Sequence, residues 1–228
     1  MNNVLAHTDP RLALSFSTGK DASYALHRLI EEGRRPSALL TTLSADFRRV
    51  TMHGVSERLV ELQAASIGLP LFKVYLPNPA TNEVYERLMA VASRAMRRAG
   101  IERVAFGDLC LEDIKRYREE AMRRAEMEAV FPIFGGDTRD RAEAIIRSGV
   151  EARIVTVDLS RIDRSFLGRA YNEELLAALP EGVDPAGENG EFHTFVVDAP
   201  FFRERVDVSP GEIVERDGFA FLDLKPRA

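Results

Sequence analysis

The sequence predicts an α/β fold, a parallel sheet with helices on both faces, followed by a smaller α+β region. Three observations predict it. Short apolar runs alternate with stretches whose apolar residues recur every three or four positions. The first three helical stretches each meet a glycine, at Gly33, Gly68 and Gly100, placed where a helix ends. Beyond about residue 130 this alternation gives way to glycine-punctuated segments and period-two patterns.

Residues 12–16 read as a buried strand running into small polar residues. A helix follows at once, because Ala22, Ala25, Leu26, Leu29 and Ile30 form one stripe that Gly33 ends. Residues 38–43 read as a second strand, and Val55, Leu59, Leu62 and Ser66 space a second helix stopped by Gly68 and Pro70. Residues 71–76 are a third strand. Asn82 is placed to cap a long helix whose inward face is Val84, Leu88, Val91, Ala92, Ala95, Met96 and Ala99. Residues 104–106 form a fourth strand opening on Gly107 and Asp108, and a helix through Ile114, Tyr117 and Ala121 follows. Strands joined by helical crossovers make a parallel sheet covered on both faces, and such sheets bind ligands at the strands' carboxyl ends. The polar loops 15–21, 44–53 and 107–108 all fall there.

The second region holds a helix around Ala142, Ile145 and Ile146, a strand at 154–157, and a glycine-rich stretch 182–190 leading into 192–197. Its tail reads as a hairpin turning at Asp217-Gly218. The division predicted is a first domain over 1–128 and a smaller one over 129–228.

Composition narrows the function. At 228 residues and 45% hydrophobic, the chain fills a real core. A net charge of -5 offers no basic excess, so a nucleic-acid partner is not signalled. The single cysteine, Cys110, excludes an intramolecular disulfide and a cysteine-based zinc cluster, which fits a reducing cytoplasm, and it is expected to be a small packed residue. Residues 1–10 show no basic start followed by an apolar run, and no run of about 18 apolar residues occurs, so no membrane partner is expected.

The loop after the first strand carries the chemistry. Phosphates need backbone N–H groups, hydroxyls, a positive charge and the positive end of a helix dipole. Ser15, Ser17 and Thr18 bring hydroxyls, Gly19 allows close approach, Lys20 brings charge, and Asp21 is suited to a magnesium ion. The chain uses 27 arginines and 4 lysines, so a lysine in this turn stands out. The plainer alternative is a simple turn with Lys20 solvated at a helix start. A Walker-type loop is not matched, since Asp21 follows the lysine and Leu14 stands five positions before Gly19.

Elsewhere, Glu188 and Glu191 flank Asn189-Gly190, whose flexible backbone can bring both carboxylates toward one point, for magnesium or an incoming ammonium or amine; the plainer alternative is a solvated acidic turn. His193 and Thr194 begin a strand and alternate faces, so at most one of them is expected to look into the cleft. His53 is weighed as an adenine or ribose contact against an idle surface histidine. Asp108, beside Gly107, is weighed as a ligand contact against a helix N-cap. Arg116 and Arg118 are weighed as phosphate or carboxylate contacts against a solvated face.

The segment Ser17-Thr18-Gly19-Lys20-Asp21 resembles the Ser-Gly-Gly-Lys-Asp-Ser signature of the PP-loop ATP pyrophosphatases, in the adenine nucleotide alpha hydrolase superfamily. Met52-His53, Leu62-Gln63-Ala64, Phe106-Gly107-Asp108, the block Gly187-Glu188-Asn189-Gly190-Glu191-Phe192-His193-Thr194 and Asp198-Ala199-Pro200 look like the diphthine–ammonia ligase family. The resemblance runs from about Leu12 to Phe202.

It implies a Rossmann-like PP-loop domain of the HUP type, binding ATP, then a smaller domain for substrate. It implies a reaction in which ATP adenylates a carboxylate of diphthine or a related acceptor, such as a modified protein side chain; ammonia then displaces AMP. ATP is implied to contact Ser15, Ser17, Thr18, Gly19, Lys20, Asp21, His53, Gly107 and Asp108, with Mg2+ on Asp21. Catalysis is implied for Lys20, Glu188 and Glu191, and substrate binding for Glu188, Asn189, Gly190, Glu191, His193 and Thr194. Three positions depart from the pattern: Thr18 replaces a glycine, Ala22 a serine with Ser23 next door, and Ala186 a cysteine frequent in relatives. Two other functions stay open, a tRNA-modifying PP-loop ATPase and a nucleotide-binding regulator without turnover, and a homodimer is left open.

Overall fold

The computed structural model describes residues 8–227, so the reading of residues 1–10 lies largely outside the described residues. The first half alternates strands and helices as the periodicity predicts. Its elements are β1 (Thr8–Ser15), α1 (Lys20–Glu31), β2 (Arg35–Ser44), α2 (Glu57–Ile67), β3 (Leu71–Leu76), α3 (Asn82–Arg98), β4 (Arg103–Ala105), α4 (Glu112–Arg124) and β5 (Glu128–Val130). The five strands are parallel, in the order β3-β2-β1-β4-β5. Leu14 of β1 pairs with Leu39 on one side and Ala105 on the other. The chain therefore reverses its direction of travel across the sheet beside β1, and a crevice opens above the carboxyl ends of β1 and β4.

Alternation along β1 sends residues to opposite faces. Leu12 and Leu14 are buried with Leu26 and Leu29 of α1 and Leu59 of α2, while Ala13 joins Leu40, Val104, Met96 of α3 and Met122 of α4. Helices thus cover both faces.

The remainder comprises α5 (Thr138–Arg147), β6 (Glu151–Asp158), a 3-10 turn (Arg164–Phe166), α6 (Glu173–Ala178), β7 (Phe192–Asp198), β8 (Val208–Arg216) and β9 (Phe219–Pro226). Its four strands form an antiparallel sheet, β7-β6-β9-β8. Ile154, Val157, Phe195 and Val196 of this sheet belong to the same buried cluster as Leu12 and Leu26. A shared core seats the second sheet against the first. The turn at Asp217-Gly218 takes φ of 54° and 82°, the doubly left-handed form that matches hairpin twist.

Several details differ from the sequence reading. The cap of α3 is Thr81, whose hydroxyl accepts from the Val84 N–H, one residue before Asn82. Val91, Ala95 and Ala99 are exposed, and the buried line of α3 is Ala92, Ser93 and Met96, where the helix packs beside β3. The boundary at 128/129 falls inside β5, which pairs with β4. Cys110 is exposed rather than packed. Strand β5 and helix α6 are three and six residues long, too short to show a period. No helix among the described residues is long and apolar enough to cross a membrane.

Candidate active site

A cavity of about 240 Å3 opens at the carboxyl end of β1. Its walls come from three segments distant in sequence: Ser15, Ser17, Lys20, Asp21 and Ala22 around the start of α1; Phe106, Gly107, Asp108 and Arg118 from β4 and α4; and Gly187, Glu188, Gly190, Phe192, His193 and Thr194, with His53 beside them. Most of the residues singled out from the sequence meet here. Thr18, Gly19, Asn189 and Glu191 do not line it, and each has another task.

Thr18 occupies the left-handed region, φ 75°, fully buried. Its carbonyl accepts from the Val196 N–H at 3.0 Å and from Gln63 Nε2 at 3.1 Å, so it ties the loop to β7 and α2. The same Gln63 nitrogen reaches the Val196 carbonyl at 2.6 Å. A left-handed β-branched residue is strained by about 1–2 kcal/mol, and the Thr18 hydroxyl is buried without a partner. This is where the family signature places glycine. Thr18→Gly is expected to raise unfolding stability by about 1 kcal/mol, after the entropy gained by the unfolded chain is subtracted; a denaturant melt measures it, and a loss of that size would contradict the strain.

Gly19 is not left-handed, with φ -88°. It must be glycine for another reason: a Cβ there would lie 2.7 Å from His53 Cε1 and 3.2 Å from the Thr194 carbonyl. Its close approach is to the second sheet. At Gly107 a Cβ would crowd the backbone of Asp21 and Ala22, so β4 closes directly over the first turn of α1.

Lys20 is 2% exposed, which removes the solvated alternative. Its ammonium donates to both Asp21 carboxylate oxygens, at 2.9 and 2.8 Å, and to the Ala186 carbonyl, and lies 5.4 Å from the Tyr171 ring and 5.5 Å from Phe192. A buried cation at the positive end of a helix is unfavourable without such partners. The Lys20 N–H donates to the Thr194 hydroxyl, and the first intrahelical bond is Ser23 N–H to the Gly19 carbonyl. The N–H groups of Asp21 and Ala22 precede that bond, so no carbonyl a turn earlier serves them. Both residues line the cavity. The result is a helix start with free N–H groups and an ammonium group beside it, an arrangement suited to an anion.

The acidic block separates into two roles. Glu188 lines the cavity and accepts from the Leu109 and Cys110 N–H groups, at 3.1 Å each. Burial raises its pKa, and those amides oppose the shift. Glu191 is fully buried and accepts from Asp184 N at 3.1 Å, Asn189 N at 3.0 Å and Asn189 Nδ2 at 3.1 Å, with Arg161 at 3.4 Å. The expected convergence of the two carboxylates does not occur, because Glu191 and Asn189 are spent on folding the 184–191 turn. Asp108 does not cap α4, whose N-cap is Leu111. It lies in the cavity wall 3.7 Å from Arg118, and burial raises its pKa. Arg116 donates to a carbonyl of its own helix, Glu112, whereas Arg118 lines the cavity with its guanidinium over Phe106. Among the described residues no three acidic, histidine or cysteine side chains form a ready-made metal site.

Thr194 and His193 both reach the cavity, contrary to simple alternation. Thr194 is held at the loop by its hydroxyl and by its carbonyl, 3.1 Å from His53 Nδ1, while the His193 ring lies tilted against His53, with 4.6 Å between ring centres. His53 has its pKa lowered to about 4, chiefly by burial and against the Thr194 hydrogen bond. His193 is lowered by burial, then by His53 and Lys20. Both are neutral in the fold at pH 7. Unfolding returns each to about 6.5, so the unfolded chain binds more protons as pH falls below that value. Stability is then full above pH 6.5 and falls as pH drops below it, for His53 down to about pH 4, with a slope of up to about 1.4 kcal/mol per pH unit for that residue. His53→Asn should flatten the dependence of melting temperature on pH between 6.5 and 4; an unchanged slope would contradict it.

Sequence reasoning passed over Tyr171, whose hydroxyl donates to the Pro185 carbonyl and whose ring cages Lys20. It lies 151 positions from the lysine, and no local pattern signals it. Gln63 was legible only through its motif.

The family model for the diphthamide synthase N-terminal domain matches residues 10–129, and that for the diphthamide synthase C-terminal domain matches residues 137–226. The chain is 28% identical over 238 residues to a rat protein named diphthine–ammonia ligase, covering 94% of this chain and 88% of that protein. It is 25% identical over 237 residues to the human protein of the same name, with the same coverage of each. To a fission-yeast protein so named it is 24% identical over 232 residues, covering 93% of this chain and 38% of the yeast protein.

Proposed function

Because the chain belongs to the diphthamide synthase family, we propose that it adenylates the carboxylate of diphthine or a related acceptor with ATP and replaces the adenylate with ammonia. It is an enzyme, an ATP-dependent ligase that forms a carbon–nitrogen bond. The observation that carries the mechanism is the buried Lys20 ammonium beside the unpaired N–H groups that begin α1.

In this reading the β and γ phosphates rest on the Asp21 and Ala22 N–H groups and on Lys20. An acceptor carboxylate oxygen attacks the α phosphorus and pyrophosphate departs. Charge building on the departing oxygen falls beside the N–H groups of the helix start and within reach of the Lys20 ammonium, which is worth about 3–4 kcal/mol when one such donor is removed from comparable sites. Ammonia then attacks the acyl carbon, AMP leaves, and one proton is lost to give the amide. Residues before β5 supply most of the nucleotide site, and the 187–194 segment closes it and faces the substrate.

Magnesium suits the donor set. The Asp21 carboxylate faces the cavity, and Asp108 Oδ2 is buried there without a hydrogen-bond donor, matching an ion that takes one or two carboxylates plus phosphate oxygens. Bound there, it would neutralise phosphate charge. Incubation with ATP, magnesium, ammonium and a diphthine-bearing protein is expected to yield AMP and pyrophosphate in equal amounts. ADP and inorganic phosphate as the products would overturn the reading.

A further inference from the structure

A groove of about 410 Å3 lies between α3 and α4, and two of its lining residues, Phe106 and Arg118, also line the phosphate cavity. The two spaces therefore meet at Arg118. That side chain is held there loosely. Its guanidinium lies over the Phe106 ring at 5.1 Å, and one terminal nitrogen donates to the Tyr85 hydroxyl at a long 3.4 Å. Its Nε is buried 3.7 Å from Asp108 Oδ2, and neither atom has a hydrogen-bond partner. A planar guanidinium presents paired N–H donors that match the two oxygens of a carboxylate, so one with donors to spare is a seat for that group.

The rest of the groove suits what such a carboxylate would hang from. Its charged lining is four arginines against two glutamates, and both glutamates are already paired, Glu86 with Arg124 at 3.5 Å and Glu126 with Arg97. Among the described residues, exposed Arg94 has neither an ion pair nor a hydrogen bond. The surplus of positive charge draws an anion inward, toward Arg118. Tyr85, Met89 and Tyr117 supply aromatic and thioether surface, with Tyr117 41% exposed. That surface fits an apolar, planar stem.

We propose that the α3–α4 groove seats the acceptor of the ligation, an organic acid whose planar or apolar stem lies along Tyr85 and Tyr117 and whose carboxylate is gripped by Arg118 at the edge of the phosphate cavity. The proposal rests on the ligase reading and assigns its second substrate a place. The phosphates have their own cation in Lys20 and their own helix start at α1, so Arg118 is left for the second anion of the reaction. The volume lies within the range of ordinary ligand sites, and one charged tip on an apolar body is the usual form of their occupants.

The probe is 4-carboxyphenylalanine, used as the blocked free amino acid and as the central residue of a ten-residue peptide, with 4-carbamoylphenylalanine as the uncharged control. Binding is titrated by calorimetry with Mg-ATP present, in the wild-type chain, in Arg118→Gln, and in Arg94→Glu, an exposed change that leaves the fold intact. Both acid forms are expected to bind the wild type about tenfold or more tighter than the amide, and the tighter form identifies a free or a protein-borne acceptor. Arg118→Gln should erase the preference for the acid, and Arg94→Glu should weaken the acid about tenfold while leaving the amide unchanged. Both variants should keep Mg-ATP affinity within about twofold. If Mg-ATP binds and the acid does not, or if acid and amide bind alike, the acceptor assignment is overturned. Variants that leave the acid unaffected overturn it too. A loss of Mg-ATP affinity by about tenfold in Arg118→Gln also overturns it, since Arg118 would then serve the phosphates. If the wild type fails to bind Mg-ATP, the ligase reading itself fails.

Discussion

Lys20→Met is expected to lower AMP formation by roughly 10²–10³-fold, the scale seen when one preorganised donor to developing charge is removed. Methionine is close to lysine in length and suits the space between Tyr171 and Phe192, so packing is retained. The partners left behind are tolerant. Asp21 reaches solvent, with its side chain 32% exposed, and the Ala186 carbonyl loses one donor. Unfolding stability should therefore change by no more than about 1–2 kcal/mol while turnover collapses. ATP affinity is expected to fall as well, because the proposed phosphate seat includes the ammonium. Quenched-flow product analysis beside a urea melt separates the two effects. A variant that keeps turnover would remove Lys20 from the mechanism, and one that unfolds would make it a structural residue.

Glu191→Ala is expected to act on the fold, and Glu188→Ala on the chemistry. Glu191 is fully buried and accepts three hydrogen bonds of 3.0–3.1 Å, two from backbone N–H groups of the turn that carries Ala186 and Glu188. Removing its carboxylate strands those donors and leaves Arg161 without its 3.4 Å partner, at a cost of about 3–5 kcal/mol. Glu188 sits at the cavity wall, and one of its two donors belongs to exposed Cys110, so water can replace much of what it does. Its loss should cost under about 1 kcal/mol in stability and sharply reduce amide formation. Equilibrium denaturation and turnover measured on both variants test this. A stable but inactive Glu191→Ala would restore the catalytic role expected from the sequence motif.

The parallel sheet was legible because its helices carry long stripes, such as Leu26 and Leu29 on α1, and the strands between them are short, mainly apolar runs, as burial on both faces favours. The loop at residues 15–21 was legible as a candidate site because an anion seat at a helix start is built from local backbone and adjacent side chains. What lay beyond reading was tertiary. Nothing near Lys20 in sequence announces Tyr171 or the Ala186 carbonyl, which meet it only when the second sheet docks. The two glutamates of the 187–194 block are equal in pattern, and only the hydrogen bonds of Asp184 and Asn189 separate the structural one from the one facing the cavity. Gly19 illustrates the same limit. The sequence suggests a glycine for ligand approach, while the space it leaves is filled by His53. Thr18, the departure from the signature, proves to be the left-handed residue of the loop.

A crystal structure with magnesium and α,β-methylene-ATP tests the central claim most directly. The account predicts β and γ phosphate oxygens within about 3 Å of the Asp21 and Ala22 nitrogens, with the Lys20 ammonium turned from the Ala186 carbonyl to the phosphates. Phosphates seated away from α1, or a bound nucleotide with Lys20 still on Asp21 and Ala186, would contradict it.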